Sequence, residues 1–546
     1  MSETSFLPNE GSGAAGVPPL GVLRQVRPTP KAVEAAQTGE SLSFLALLKY
    51  VFSFPAMLGT MLVGAVFIAA RIFAVDPDLW WHIKNGQNIL ATHHWPTTDP
   101  YSFTVAGSPW LSYEWLGDVL FGAVASFGGL LGLDVLLIIL GSAIVIALYA
   151  YAALRSGNAK AGFVVAAMLY ALITPSFSLR PQMLGYLFII LTLIVLECFR
   201  QGKMRDGVWL LPPLFVLWVN AHGSWVIGLG VVFVYLVGGL TDLSIASIVA
   251  RRWTRSQRLR LEIVFLLCLA AIPLTPYGTR LAAYPFTVAS SLPVNVANVM
   301  EWQPMPFNLL GGKIFLALLL GFFLAQMALR FQCRLDELVL FVGGTAMACL
   351  HVRFILLFVP FFCPLLAVLV ARWIPTYDRR KDLHIANAVL MAAVIAAMAW
   401  YFPTGVNIRD IVSRKFPVRA VDYLRSHVVP GRMYNTYGYG GYLIWALPEQ
   451  KVFIDGRGDL YEVGGAFSDY LQASDLKPAA FFVLRSYGIQ SCLLERSEPL
   501  ATVLSNHPEW RTEYSDDVSV LLVKRDATTP SQSKIGSSIA ERKRQM

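Results

Sequence analysis

Residues 53–78, SFPAMLGTMLVGAVFIAARIFAVDPD, decide the class of this chain. The apolar run over 53–74 matches the ~20 residues that an α-helix needs to cross the hydrocarbon core of a bilayer. The run stops at Asp76-Pro77-Asp78. We therefore predict a transmembrane helix followed by an acidic loop at the membrane surface.

The composition extends this interpretation to the whole chain. Of its 546 residues 55% are hydrophobic and only 14% are charged, whereas soluble domains carry roughly 25% charged residues. The net charge is +9, but most Lys and Arg residues lie in short clusters between apolar runs, where membrane orientation explains them. We therefore exclude a nucleic-acid partner. Five of the six cysteines lie in or beside apolar runs, which predicts no disulfide framework.

Apolar runs recur along the chain, and Pro212-Pro213 interrupts one of them. They cover residues 53–74, 130–154, 161–177, 183–199, 208–221, 224–243, 261–275, 313–329, 336–350, 354–371 and 386–402. Two runs separate each basic cluster from the next, and short basic loops stay cytoplasmic. The pattern predicts a polytopic α-helical membrane protein with about 11 transmembrane helices. The N-terminus is then cytoplasmic, and the chain after residue 403 is outside.

The segments between the runs suggest four regions. Residues 1–42 and 526–546 are predicted to be a disordered cytoplasmic arm and a disordered tail. Residues 43–403 form the transmembrane domain, in which 75–129 is a first outer loop with interfacial helices. Residues 404–525 are predicted to be a small periplasmic α/β domain. Its expected strands are Lys451–Ile454 and Val518–Val523, and its expected helices lie near 417–426, 478–487 and 499–506.

The first outer loop contains the acidic residues that suit catalysis. Asp76 and Asp78 have a structural interpretation, with Asp76 as a helix N-cap and Pro77 as the first helical residue. In the functional interpretation one carboxylate is a general base and the other positions a cation or hydroxyl. His82, four residues after Asp78, is expected to share its face and orient it. Glu114 is a further acidic candidate.

Arginines occur where the charge rule does not expect them. Arg180, Arg280 and Arg353 fall at outer ends of predicted spans. Arginine suits bidentate phosphate binding, although snorkelling or pairing with the acids would also account for each one. The polar break Asn220-Ala221-His222-Gly223-Ser224 is expected either to line a cavity or to form a tight turn. In the tail, Phe453–Asp459 fits a strand-to-turn segment or a sugar contact.

Together these features resemble the GT-C superfamily of membrane glycosyltransferases. Many spans, an aspartate-bearing first outer loop and a C-terminal outer domain carry the architectural resemblance. The short motifs are similar to a bacterial branch with a C-terminal periplasmic domain; they are Asp76-Pro-Asp-Leu-Trp-Trp-His82, Asp99-Pro-Tyr-Ser-Phe-Thr104, Glu114-Trp115, Arg180-Pro-Gln182, Asn220-Ala-His-Gly-Ser224 and Phe453-Ile-Asp-Gly-Arg457.

The resemblance implies a sugar donor on polyprenyl phosphate, a glycan, lipid or protein acceptor, and a place in the bacterial inner membrane. It implies that Asp76 is the base and Asp78 a metal or hydroxyl ligand. His82, Glu114, Arg180, Asn220, His222, Arg280 and Arg353 are expected to bind substrate. We expect no obligatory metal, because the outer loops lack a dense cluster of further ligands; a divalent cation at Asp76 and Asp78 is the alternative.

Two other functions fit the same sequence. A transporter or lipid flippase also needs polar breaks and outer arginines, but inverted repeats and charges at the bilayer midplane are not evident. A non-catalytic assembly subunit would keep the fold and use the C-terminal domain to bind a partner.

Overall fold

The computed structural model describes residues 44–73, 76–174, 177–329 and 331–525. The predicted disordered segments 1–42 and 526–546, and Arg330 of one basic cluster, lie outside the described residues. The chain divides into two compact units, and the described part of the first contains the helix Phe44–Val51. The second unit begins at Ser53 and contains the elements described below.

The transmembrane region is helical, and a helix covers most or all of each predicted apolar run. In chain order the helices are Phe54–Phe73, Leu79–Thr92, Trp115–Ser156, Ala159–Ile173, Gln182–Arg200, Leu211–Ala221, Trp225–Gly238, Arg255–Ala271, Arg280–Ser291, Pro293–Asn298, Leu310–Leu329, Leu335–Leu350, Ile355–Val370 and His384–Trp400. Short 3-10 helices lie at Gly207–Leu210, Met300–Trp302, Val352–Phe354 and Arg379–Lys381.

A helix spans a membrane only if it is both long enough and apolar enough, so not every apolar helix is a transmembrane helix. Among the described residues, four helices are long and apolar enough to cross a bilayer, and six if each of two bent pairs counts as one span. Other apolar helices are short: Leu211–Ala221 has 11 residues and Trp225–Gly238 has 14. The chain therefore has the character of a multi-pass helical membrane protein, and the number of about 11 spans stays a prediction.

Glycine and proline set two helix boundaries. Within Trp115–Ser156 the backbone of Gly129 is non-helical, with φ 56° and ψ −149°, a conformation that glycine adopts without steric cost. This break separates residues 115–127, which belong to the predicted first outer loop with its interfacial helices, from the predicted span over 130–154. The sequence suggested that Pro212 and Pro213 interrupt an apolar run, but in the structure they do not lie in the interior of a helix. They stand in the first turn of Leu211–Ala221, where the missing N–H groups cost no helical hydrogen bond.

A small sheet between helices was not predicted. Strands β1 (Leu243–Ile245) and β2 (Ile248–Ala250) form an antiparallel hairpin, and β2 pairs in parallel with β3 (Cys333–Arg334). The sheet joins two chain segments that both belong to predicted basic loops or their neighbours. Strands this short have no recognisable sequence period, because period-2 alternation needs about four residues to be seen.

The C-terminal segment contains a mixed sheet. Its strand order is β4 (Arg432–Asn435), β5 (Ile489–Glu495), β7 (Ser519–Lys524) and β6 (Trp510–Ser515), with β4 and β5 parallel and the other pairs antiparallel. The helices of this segment are Gly405–Ser413, Val418–Ser426, Tyr437–Ala446, Gly458–Val463, Ala466–Ser474, Ala480–Ser486 and Pro499–Ser505. The predicted strand at Val518–Val523 and the three predicted helices are present.

The predicted strand at Lys451–Ile454 is wrong. Val452 instead forms an isolated bridge to Ser102 in the first loop, and its N–H donates to the carbonyl of Tyr101 over 3.2 Å. The short apolar run marked a buried segment correctly. It did not reveal the partner, because the pairing joins residues about 350 positions apart.

A buried ionic cluster joins the ends of three helices. Arg334 donates to Glu197 over 2.6 Å and to Asp336 over 2.8 Å, and Arg155 is bonded to Glu337. The three acids are each about 1% exposed. Arg155 ends one helix, while Asp336 and Glu337 begin another, so each charge also suits the helix dipole beside it.

Removing one acid from this cluster should destabilise the protein. We expect Glu197→Ala to lower the free energy of unfolding by about 3 kcal/mol, because it leaves the Arg334 guanidinium buried with fewer partners. Thermal unfolding of the detergent-purified chain measures this change. The control is Glu262→Ala, which removes an exposed acid paired with Arg258. Equal unfolding temperatures for both variants and the wild type would contradict the prediction.

Candidate active site

A cavity of about 240 Å³ lies where the first outer loop, the segment after Arg280 and the C-terminal segment meet. Its walls combine aromatic rings with charged groups from all three places. The residues that line it are Pro77, Asp78, Trp81, His82, Trp110, Leu111, Ser112, Tyr113, Glu114, Arg180, Gln182, His222, Tyr284, Leu292, Asn295, Val299, Glu301, Trp302, Arg353, Tyr437, Gly456, Arg457, Gly458 and Asp459.

Arg180 is surrounded by three carboxylates. Its guanidinium lies 2.8 Å from Asp76, 3.1 Å from Asp78 and 2.8 Å from Glu301, through a different nitrogen in each case. Burial raises the pKa of Asp78 to about 6, although the charge of Arg180 opposes this effect. Arg180 therefore has a structural role, because its guanidinium holds three carboxylates close together.

Asp76 faces away from the cavity. One of its carboxylate oxygens accepts the N–H of Asp78 over 2.9 Å, and the other accepts Nε–H of Arg180 over 2.8 Å. The helix begins only at Leu79, and the Asp78 side chain makes no capping hydrogen bond. The capping interpretation of Asp76 and Pro77 is therefore wrong, because Asp76 closes a turn ahead of the helix. The role of Asp76 as base stays a prediction.

His82 points to a residue that the sequence analysis missed. Its Nδ1 lies 2.5 Å from Oδ1 of Asp118, and the other Asp118 oxygen accepts hydrogen bonds of 2.6 Å from Asn85 and Ser112. The expectation that His82 orients Asp78 is therefore not met. Gly86 makes the contact feasible, because a Cβ there would come within 1.8 Å of the Asp118 carbonyl oxygen. Burial alone would lower the pKa of His82, but the Asp118 carboxylate raises it.

Glu114 lies between two histidines. Oε1 is 3.3 Å from Nε2 of His222, and Oε2 is 3.8 Å from Nε2 of His82. The Nδ1 atom of His222 accepts the backbone N–H of Ser224, so the proton of neutral His222 is on Nε2, the nitrogen nearer Glu114. Burial raises the pKa of Glu114 to about 7, and burial together with the charge of Arg353 lowers that of His222 to about 3.

The three outer arginines differ in surroundings. Arg353 lies over the ring of Trp302, with 4.2 Å from its guanidinium carbon to the ring centre. Within the described parts of the chain, Arg353 has no hydrogen bond and no acid within ion-pair distance. Arg280 is exposed and does not line the cavity. The structure thus brings together two of the three predicted arginines, Arg180 and Arg353, and of these two Arg353 has no acidic partner among the described residues.

Asn220 and His222 share a sequence motif but have different surroundings. The Asn220 side chain accepts Nε1–H of Trp115 over 2.7 Å and donates to the carbonyls of Val216 and Leu274. These contacts hold helix ends together, and Asn220 does not line the cavity. His222 does line it. The expectation of substrate contact is therefore supported by position for His222 alone.

The C-terminal segment is fixed to the first loop by Arg457. This guanidinium donates to Asp99 over 2.8 Å and to both oxygens of Asp455, and all three side chains are at most 1% exposed. It also lies 4.6 Å from the ring centre of Trp110. The motif Phe453–Asp459 therefore supplies a wall of the cavity, and its arginine is already saturated by protein groups.

A third wall comes from the segment between Arg280 and Trp302. Glu462 accepts the backbone N–H groups of Val294 and Asn295 over 2.7 and 2.8 Å, and Tyr284 is bonded to Asp459. Sequence reasoning missed Tyr284, Asn295 and Glu462, together with Tyr113, Glu301 and Trp302. No spacing signal could have found the first three, since their partners are more than 160 positions away.

The residues do not fit a divalent cation at Asp76 and Asp78. Both carboxylates are bonded to the Arg180 guanidinium, which fills the place between them. Across the described residues there is no group of three His, Cys, Asp or Glu side chains that could hold a metal ion. We therefore derive no step through a metal.

No protein-family model matches the chain, and no curated protein matches it by sequence. Among solved structures, the chain is similar to an Archaeoglobus fulgidus oligosaccharyltransferase tethered with an acceptor peptide, with TM-score 0.48, 12% identity and coverage of 80% of this chain and 68% of that one. Archaeoglobus fulgidus AglB, in complex with an inhibitory peptide and a dolichol-phosphate, matches with TM-score 0.45, 10% identity and coverage of 80% and 69%.

The chain is also similar to ArnT from Cupriavidus metallidurans, bound to undecaprenyl phosphate. This match has TM-score 0.48, 14% identity and coverage of 90% of this chain and 100% of that one. AglB and ArnT are both GT-C membrane glycosyltransferases, the superfamily that the sequence motifs resemble. All these TM-scores are below 0.5, so the residues of the cavity carry the functional case.

The Arg457 cluster gives a test of how the C-terminal segment is held. We expect Arg457→Lys to loosen it, because a lysine ammonium cannot reproduce the forked contacts to Asp99 and Asp455. Limited proteolysis of the purified chain should then cut faster within 404–525. The control is Arg409→Lys, at an exposed position. Unchanged cleavage in Arg457→Lys would show that the cluster does not hold the segment.

Proposed function

We propose that this chain is a membrane glycosyltransferase that moves a sugar from a polyprenyl-phosphate donor to an acceptor at the periplasmic face of the bacterial inner membrane. The observation that carries the proposal is the composition of the cavity. It combines the carboxylates of Asp78 and Glu114 with the guanidinium of Arg353, which has no acidic partner among the described residues. An acid–base group and an unpaired cation are what transfer from a phosphate leaving group requires.

Arg353 is the proposed phosphate ligand. A half-buried cation without an anion is costly, so the position favours an anionic ligand. Trp302 supports the guanidinium from one side, which leaves its edge free for bidentate contact with phosphate oxygens. Arg180 cannot act in the same way, because three carboxylates already occupy it.

The cavity suits a small polar substrate. Pockets for drug-sized ligands occupy roughly 300–1,000 Å³, and this cavity of about 240 Å³ favours a single sugar residue over an oligosaccharide. Trp81, Trp110 and Tyr437 offer apolar ring surface, while Asn295 and Asp459 offer hydrogen-bonding groups. The acceptor would enter beside the C-terminal segment, which forms this wall.

The alternatives fit the cavity less well. Two buried carboxyl groups with pKa values raised to about 6 and about 7 are typical of acid–base catalysis. A proton-coupled transporter also uses such groups, but inverted repeats are not evident in the sequence. A non-catalytic assembly subunit would have no use for an uncompensated arginine beside the two carboxyl groups. We therefore place catalysis first and transport second.

Arg353 and Arg280 provide a matched pair for the test of function. We expect Arg353→Gln to lower the rate of sugar transfer about 100-fold, because the departing phosphate loses its cation. Arg280→Gln should leave the rate unchanged, since Arg280 lies outside the cavity. The measurement is transfer of label from a panel of radiolabelled undecaprenyl-phosphate hexoses in membranes that contain the full chain. Equal activity of the two variants would rule out Arg353 as phosphate ligand, and the absence of transfer by the wild type would contradict the proposed function.

Gly456 tests the position of Asp78. A Cβ at residue 456 would lie 1.7 Å from Oδ1 of Asp78, so Gly456→Ala must displace this carboxylate. We expect transfer to fall at least tenfold while the protein still inserts and purifies normally. Gly438→Ala is the control, because a Cβ at residue 438 meets no atom within 4 Å. Full activity of Gly456→Ala would show that the position of Asp78 is unimportant.

A further inference from the structure

We propose that Glu114, rather than either aspartate of Asp76-Pro77-Asp78, is the general base of the cavity, and that the buried Asp118–His82 pair beside it supports its negative charge. This inference rests on the proposed glycosyl transfer and names the residue that removes the acceptor proton. Asp118 does not touch the cavity and is a positioning residue. It is fully buried behind His82.

The two aspartates are held by Arg180. Both oxygens of Asp76 are hydrogen-bonded within the protein, and Asp76 does not line the cavity. Asp78 does line the cavity, but one of its oxygens lies 3.1 Å from the Arg180 guanidinium, and an adjacent cation makes a carboxylate a weaker base. Asp78 is better placed as a fixed charge beside the reacting sugar.

Glu114 has the opposite arrangement. Within the described residues, no arginine or lysine lies within ion-pair distance of its carboxylate, which lines the cavity. Oε1 is 3.3 Å from Nε2 of His222, and Oε2 is 3.8 Å from Nε2 of His82, which is beyond hydrogen-bond distance. Oε2 is therefore open to an acceptor hydroxyl. A carboxylate that is not bound to a guanidinium is better able to accept a proton.

The Asp118–His82 pair supplies the electrostatic support. Asp118 accepts from Nδ1 of His82 over 2.5 Å, while Asn85 and Ser112 fix its second oxygen. The anion behind the ring favours a protonated His82, whose Nε2 then presents a positive charge to Glu114. This charge favours the ionised, base-competent form of Glu114.

In the proposed transfer, one bond to the anomeric carbon of the sugar forms while another breaks. The acceptor O–H loses its proton to Oε2 of Glu114 as its oxygen forms a bond to the anomeric carbon of the sugar. The bond from that carbon to the phosphate oxygen breaks, and its electron pair leaves with the lipid phosphate, which Arg353 binds. Glu114 then releases the proton to water, which restores the carboxylate.

Charged and titratable groups from several segments influence Glu114. They are His82, His222, Arg353, Arg180, Asp118, Tyr113, Tyr186 and Tyr284. His82 lowers the pKa of Glu114 and Asp118 raises it, and the effect of His82 is the larger. Replacing Asp118 by Asn lowers the pKa of His82 and removes its positive charge near neutral pH. The pKa of Glu114 must then rise.

The first experiment compares Glu114→Gln with Asp78→Asn and the exposed control Glu262→Gln, each as the full chain in proteoliposomes with radiolabelled undecaprenyl-phosphate hexoses. We expect Glu114→Gln to lose about 100-fold or more in transfer rate, with a smaller loss in Asp78→Asn and none in Glu262→Gln. Binding of undecaprenyl phosphate, measured by thermal shift, should persist in Glu114→Gln and shows that it is folded. Transfer by the wild type together with near-normal transfer by Glu114→Gln would overturn the base assignment alone. If the wild type transfers no donor, the proposed function itself fails.

The second experiment measures transfer against pH. The wild-type rate should rise with pH through a limb near pH 7, because Glu114 must be ionised and its pKa is about 7. In Asp118→Asn this limb should move to higher pH by about half a unit or more, with activity recovered on the alkaline side. A uniform loss at all pH values, or a limb that does not move, would show that Asp118 has only a structural role.

Discussion

The bonding of Arg180 to three carboxylates is the interaction on which the site depends. A guanidinium removed from water needs anions around it, and those it finds come from two distant loops: Asp76 and Asp78 from the first, Glu301 from the later one. These contacts fix the position of the first loop against the segment that follows Arg280. They also hold both aspartates against a guanidinium, whereas Glu114, the proposed base, has no arginine or lysine within ion-pair distance among the described residues. Much of the geometry of the cavity follows from this one arrangement.

The buried and half-buried arginines of this protein have different roles. Arg334 and Arg155 hold helix ends at the side predicted to be cytoplasmic, and Arg457 fastens the C-terminal segment to the first loop. Each of these is paired with acids that are almost fully buried. Arg353 differs, since an aromatic ring rather than a carboxylate supports it. This contrast separates Arg353 from the structural arginines and supports its proposed role as the phosphate ligand.

The cavity is assembled from segments that are far apart in the chain. Glu462 binds the backbone near Asn295, and Tyr284 binds Asp459, so the later outer segment and the C-terminal segment close the cavity together. The first loop contributes the titrating groups. Such a site is sensitive to changes in any of the three segments, and Gly456 shows how little space separates them, because even one methyl group would meet Asp78.

The sequence by itself determined the helical membrane class, the position of the helices, the strand at Val518–Val523 and the choice of Asp78, Glu114 and Arg353 as residues of one site region; their outer location stays a prediction. These depend on local properties: apolar length, charge clusters and period. It could not determine that Asp76 faces away from the cavity, that His82 pairs with Asp118, or that Val452 pairs with the first loop. Those features depend on which groups meet after folding, and a side chain's hydrogen-bond partner 36 or 350 positions away leaves no periodic trace. Only the tertiary structure decided which of the predicted acids and cations remained unpaired, because pairing is a property of distance in space.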